Sequence, residues 1–124
     1  MFLSVEEVGD NLKKKHNDVL YLIRENKITA VKFGNVWRIA QGDLENHKQG
    51  FSASDDCIKI VISNLEPLLT LKDLVDLFRV DPKTITNLIN HKIIPAKILE
   101  KTWTFTREDI LNYCLKRTQL WVYL

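Results

Sequence analysis

The sequence is poor in the residues that mark an enzyme, a secreted scaffold or a membrane protein. Cys57 and Cys114 are its only cysteines in 124 residues, with no CxxC pair and no histidine spaced as a metal partner. They read as ordinary buried thiols. His16, His47 and His91 also lack ligand spacing, and the chain has no glycine-rich phosphate loop, Ser-His-Asp arrangement or paired carboxylates. No catalysis, cofactor, metal or small-molecule ligand is therefore expected. The longest apolar run, Ile60-Val61-Ile62 extended by Ile58, is far too short to span a membrane. Glu6 and Glu7 follow the first methionine too soon for a signal peptide, so a cytoplasmic, reduced setting is expected. Charge of one sign is scarce as well. The net charge is only +2, residues 1–49 carry eight Lys/Arg against seven Asp/Glu, and residues 65–117 carry nine against seven. That balance excludes a uniformly basic, sequence-indifferent coater of nucleic acid.

What the sequence does hold is a repeat. A shift of 66 positions aligns Leu3 with Leu69, Asp10 with Asp76, Leu22-Ile23 with Leu88-Ile89, Ile28 with Ile94, Ala30 with Ala96, Trp37 with Trp103 and Asp43 with Asp109. Tryptophan is rare, and two of the three tryptophans fall on this one offset. The reading is a tandem duplication: residues 1–49 as copy 1, residues 50–66 as a linker, and residues 67–124 as copy 2 with an apolar tail. A unit of about 60 residues buries only about 60% of its unfolded surface. Two such copies are expected to lean on each other or on a second chain.

Each copy carries the same signals. Ser4 or Thr70 stands as an N-cap, with Glu7 or Asp73 three residues on as a capping-box partner. Val5, Val8 and Leu12, or Leu71, Leu74 and Phe78, then recur at helical spacing. In copy 2, Asp81-Pro82 opens a new helix with Ile85, Leu88 and Ile89 on one face, and copy 1 offers Val19, Leu22 and Ile23. Alternating apolar residues around Gly34-Asn35 predict a short β-hairpin, and Asp43-Leu44 and Asp109-Ile110 open a third helix. Helix, tight turn, helix, hairpin, helix is the order of a winged helix-turn-helix. The predicted fold is mainly α with small β-hairpin wings (α+β), as two tandem winged helix-turn-helix domains.

The joint order of these motifs resembles the excisionase-type, MerR-like helix-turn-helix family. Copy 2 supplies Leu69-Thr70-Leu71-Lys72-Asp73-Leu74, Thr84-Ile85-Thr86-Asn87-Leu88-Ile89, Lys92-Ile93-Ile94-Pro95-Ala96-Lys97 and Trp103-Thr104-Phe105-Thr106-Arg107-Glu108-Asp109-Ile110. Copy 1 supplies Phe2-Leu3-Ser4-Val5-Glu6-Glu7-Val8, Leu22-Ile23-Arg24-Glu25-Asn26-Lys27-Ile28 and Phe33-Gly34-Asn35-Val36-Trp37-Arg38-Ile39. The resemblance implies a bacterial or phage protein that binds double-stranded DNA sequence-specifically, as a small transcriptional regulator or an excisionase-like architectural factor.

In that architecture the second helix enters the major groove. Copy 2 then turns Lys83, Thr84, Thr86, Asn87, Asn90 and His91 outward, residue types suited to base edges and phosphates, with no carboxylate among them. Copy 1 offers Lys15, Asn17, Tyr21 and Arg24, with Asp18 as an unfavourable neighbour. Its wing carries Lys32, Asn35 and Arg38 around Gly34, a basic tip. The copy 2 wing, Leu99-Glu100-Lys101-Thr102, lacks the glycine and presents an acid. Trp37 and Trp103, between apolar neighbours, read as core residues.

Two copies on one duplex would place half-sites about one helical turn apart on one face. The run Cys57-Ile58-Lys59-Ile60-Val61-Ile62 reads as an apolar strand. It and the tail Leu120-Trp121-Val122-Tyr123-Leu124 are the expected surfaces for a homo-oligomer. They also supply the alternative reading, a winged-helix module that binds protein and has no role on DNA.

Overall fold

A computed structural model describes residues 1–118; the apolar tail at 120–124 lies outside the described residues. The described chain is mixed α+β, with seven helices and two small antiparallel sheets. In chain order the elements are β1 (Phe2–Leu3), α1 (Val5–Leu12), α2 (His16–Arg24), β2 (Val31–Phe33), β3 (Val36–Ala40), α3 (Gln41–Lys48), α4 (Asp56–Ser63), β4 (Leu68–Thr70), α5 (Leu71–Phe78), α6 (Pro82–Asn90), β5 (Lys97–Leu99), β6 (Thr102–Thr106) and α7 (Arg107–Lys116). The sheets have the strand orders β1-β3-β2 and β4-β6-β5. No helix among the described residues is long and apolar enough to cross a membrane.

The local chemistry of the two halves runs in parallel. Ser4 Oγ accepts from Glu7 N at 3.1 Å while Glu7 Oε1 accepts from Ser4 N at 2.8 Å, a closed capping box at the start of α1. Thr70 and Asp73 repeat it at α5, at 3.2 and 2.8 Å. Each of these helices stops on a left-handed residue, Lys13 at φ 57° and Arg79 at φ 56°. Asn26 and Lys92 take φ 56° and 58° after α2 and α6. The turn after α1 is tight: a Cβ on Gly9 would meet the Lys14 carbonyl oxygen at 2.8 Å, so only glycine fits there. In α6, Asp81 Oδ1 accepts from Lys83 N at 2.9 Å, and Pro82 fills a first-turn position where no N–H is needed.

The linker departs from expectation. The run 57–62 is not a strand but most of α4, Asp56–Ser63. Ile58 and Ile62 lie four residues apart on one helical face and are buried, with Cys57 and Val61 half-buried beside them, while Lys59 and Ile60 face outward. That face is spent inside the chain, against Ile110 and Cys114 of α7 in the same core. Arg107 Nη1 donates to the Leu65 carbonyl at 2.8 Å and fixes the exit from α4. Cys57 is therefore part of a packed helix, not of an exposed pairing edge.

The apolar residues form two clusters, and the larger one ignores the boundary between the halves. The smaller gathers Val5, Val8, Val19, Ile23, Ile28, Ala30, Ile39 and Leu44, with Trp37 packed against it. The larger joins Phe2, Val31, Phe33 and Ala40 of the first half to α4 and to the whole apolar interior of the second half, with Trp103 at its margin. Phe78 sits at the junction, its ring centroid 4.8 Å from that of Phe2 and 4.4 Å from that of Phe33. Phe33 also faces Tyr113 at 5.3 Å. Burying side chains of this size contributes roughly 1.5–3 kcal/mol each, so the junction is a substantial fraction of what holds the chain together.

Candidate nucleic-acid interface

Helix α6 is amphipathic by sequence. Ile85 and Leu88 are buried and Ile89 half-buried, which turns Lys83, Asn87 and Asn90 to the opposite, exposed side. Thr84 and Thr86 lie half-buried on its two flanks. Thr86 Oγ1 donates back to the Lys83 carbonyl at 3.1 Å. His91, the C-cap residue, is exposed, with Nδ1 2.7 Å from the Asn87 carbonyl oxygen. From Pro82 to Lys92 the chain has no acidic residue. The helix thus presents amide, hydroxyl, imidazole and ammonium groups on a rigid element, with no carboxylate to repel phosphate.

The first hairpin, β2–β3, lies against this helix rather than apart from it. Gly34, at φ +60°, forms its turn, and a Cβ there would lie 3.4 Å from Thr84 Cγ2. Asn35 and Val36 line an open groove of about 380 Å³ together with Thr84, Asn87, Leu88, His91 and Ile93. On their other side, Asn35 and Val36 line a second groove of about 280 Å³ with His16 and Leu20 of α2, where Glu6 also faces in. The hairpin tip therefore stands between α2 and α6.

Arg38 is not at that tip. Its Nε donates to the Phe78 carbonyl at 2.9 Å and its Nη2 to the Arg79 carbonyl at 2.8 Å, the exposed C-terminal carbonyls of α5. A third bond, Nη1 to the Trp37 carbonyl at 2.9 Å, leaves the guanidinium engaged on three sides. Partial burial, followed by the positive charge of Arg79, lowers its pKa from the ordinary arginine value. The strand holds this side chain at the junction, where it caps α5 while also lining the α2-side groove with Asn35 and Val36. Arg79 answers from the other half, donating to Glu7 Oε1 at 2.7 Å and to the Phe2 carbonyl at 3.0 Å. This pairing, followed by the backbone bond at Ser4, holds the Glu7 carboxyl down at about 2.

Lys32 is half-buried, its ammonium 5.5 Å from the centre of the Trp37 ring. Its backbone is held on both sides: the carbonyl accepts from Tyr113 Oη at 2.6 Å, and the N–H donates to the Arg117 carbonyl at 3.3 Å. On α2, Lys15 occupies the N-cap without a side-chain capping bond, and Asn17, Tyr21 and Arg24 are exposed. Asp18 is exposed beside them. His16 Nδ1 lies 3.5 Å from Glu6 Oε1, which adds another acid to that face. The α2 surface is thus mixed in charge, whereas the α6 surface is not.

Of the residues singled out by sequence, Thr84, Asn87, His91 and Asn35 line one groove, and Lys83 and Asn90 are exposed on the same helix. Asn17, Tyr21 and Arg24 are exposed on α2, with Lys15 at its N-cap; Tyr21 lines a groove with residues 50–53, and Arg24 lines another with Lys32 and Trp37. Val36 and Ile93 line the α6 groove and were not anticipated; their place beside the hairpin turn and just past α6 was the available signal. The hairpin of the second half, β5–β6, turns on Glu100 and Lys101, at φ 49° and 67°, with Ile98 and Leu99 exposed on its edge strand.

Residues 68–118, from β4 through α7, match the family model of a helix-turn-helix domain. No curated protein and no solved structure matches the chain.

Proposed function

We propose that this chain is a sequence-specific double-stranded DNA-binding protein without catalytic activity, in which α6 is the helix inserted into the major groove. The observation that carries the reading is the exposed side of α6, free of carboxylates and set within the stretch that matches the helix-turn-helix family. Asn87 and Asn90 are suited to adenine edges, Thr84 and Thr86 to either base type or a thymine methyl, and Lys83 to phosphate or guanine. We further read residues 1–49 as a second copy of the same winged module. The shared capping boxes, the left-handed residues at equivalent positions and the identical strand orders support this. The role is that of a small transcriptional regulator or an excisionase-like architectural factor.

A second reading, a protein-binding winged module, draws support from the exposed Ile98 and Leu99 on β5. Gel shifts over a fragment pool at rising salt separate the two. The DNA reading expects retention of particular sequences, weakened as salt rises. Asn87→Ala should relax base preference, while Lys83→Ala should reduce the log–log salt slope by about one. Failure to retain any fragment at low salt would refute the DNA reading and leave protein binding.

A further inference from the structure

We propose that the hairpin of the first half serves the helix of the second: the tip residue Asn35 determines sequence preference at the DNA site read by α6. The inference rests on the DNA-binding reading above and goes beyond it. It assigns a specificity residue that lies outside the helix-turn-helix match at 68–118, and it replaces two separate half-sites with one composite surface.

The first hairpin is clamped onto the second half along both strands. On β2, Phe33 packs against Phe78 and Tyr113, and the Lys32 carbonyl accepts from Tyr113 Oη at 2.6 Å. On β3, Arg38 holds the Phe78 and Arg79 carbonyls, three and two residues before Asp81, the cap of α6. A hairpin fixed at that distance from the start of α6 cannot swing to an independent site on the DNA.

The clamp delivers the tip to the polar flank of α6. Gly34 stands at this approach: the place a Cβ would occupy is 3.4 Å from Thr84 Cγ2, van der Waals distance, and its φ of +60° favours glycine in the turn. Asn35, Thr84, Asn87 and His91 then line one open groove, and none of the eight residues around it is acidic. An asparagine amide offers both a donor and an acceptor, so Asn35 and Asn87 present the same base-reading chemistry from two elements to one stretch of duplex.

The second half's own hairpin is less suited to this task. Its equivalent turn is Glu100-Lys101, which puts a carboxylate at the tip. The groove on the α2 side includes Glu6. The hairpin of the first half, on its α6 side, is the wing tip with a carboxylate-free setting.

The test compares base preference, position by position, for the wild type, Asn87→Ala, Asn35→Ala and Lys101→Gly, by selection from a randomised duplex pool. Asn35→Ala should lower discrimination on the order of tenfold. The affected base pairs should lie within about half a helical turn, roughly five base pairs, of those affected by Asn87→Ala. Lys101→Gly, which trims the equivalent tip at a left-handed position, should leave those base pairs unchanged. Asn35→Ser, with unchanged circular dichroism, guards against a folding artefact. Two outcomes overturn the proposal while leaving the DNA reading intact. One is unchanged preference in both Asn35 variants when Asn87→Ala alters it. The other is an effect displaced by a full turn, about ten base pairs, which would mean independent half-sites. A wild type that retains no duplex overturns both.

Discussion

Replacing Asp43 with asparagine is expected to stabilise the protein, and to do so more at pH 8 than at pH 5. Asp43 stands in the first turn of α3, is only 5% exposed, and its Oδ2 has no hydrogen-bond partner among the described residues. The surroundings are tight. A Cβ on Gly42 would lie 2.9 Å from Cys57 Sγ, and Asn46 Nδ2 approaches the same sulfur at 3.4 Å. Burial pushes the carboxyl up to about 7 from its ordinary 3.8; a hydrogen bond with Cys57 opposes this, and the charges of Asp55 and Asp56 add to it. A carboxyl whose folded pKa is raised contributes stability in full below the unfolded pKa and loses it as pH climbs towards the folded one. The interval from 3.8 to about 7 sets a ceiling of about 4 kcal/mol. Local opening that lets water reach the carboxylate reduces the realised cost to about 2 kcal/mol. Asparagine keeps the shape and removes the ionisation. Urea midpoints of wild type and Asp43→Asn at pH 5, 6, 7 and 8 measure the effect. A variant-minus-wild-type stability that stays constant from pH 5 to 8 would refute the argument, because the carboxyl would then already be ionised in the folded chain.

Three further outcomes test the junction between the halves. Arg38→Ala removes two hydrogen bonds to the end of α5 and should cost about 1.5–3 kcal/mol in chemical denaturation; a loss under 0.5 kcal/mol would mean that water replaces the guanidinium. Phe78→Ala empties the place where Phe2 and Phe33 meet and should cost about 3–5 kcal/mol. In both that variant and the wild type, the Trp37 and Trp103 signals should be lost in a single transition, and two separated transitions would contradict a shared core. Glu7, held at about 2 in the folded chain against an ordinary 4.5, contributes stability above pH 4.5 that is lost as pH falls towards 2. Glu7→Gln should therefore flatten acid unfolding over that window, and an unchanged acid limb would show that the Arg79 pairing is not populated in solution.

The parts of the fold governed by neighbours in sequence were legible. Ser4, Thr70, Asp81 and Pro82 announce helix starts because a capping bond spans two or three residues, and each is in place. The run 57–62 misled because Ile and Val carry a strand preference, whereas burial at Ile58 and Ile62, with Val61 alongside, is a four-residue period. The two aspartates just ahead, Asp55 and Asp56, are the helix-start signal that outweighs it. The junction role of Arg38 was hidden for another reason. Two of its three partners are backbone carbonyls some forty residues away, and no local pattern reports a contact of that separation. The apposition of Asn35 to α6 is of the same kind. Each element was readable, but their juxtaposition depends on aromatic packing between halves.

The residues of the junction are also where the two halves differ. Arg38, Phe33, Phe78, Arg79 and Tyr113 hold it, and the residues 66 positions away are Thr104, Leu99, Leu12, Lys13 and His47. None of the five pairs is identical, so the contact works in one direction only: the first hairpin fits the second helical unit, and among the described residues the second hairpin has no such counterpart to grip. The order of the halves is consequently a property of the molecule. A chain with the same two segments joined in the opposite order would retain every capping box yet bring Leu99 to Leu12 in place of Phe33 to Phe78.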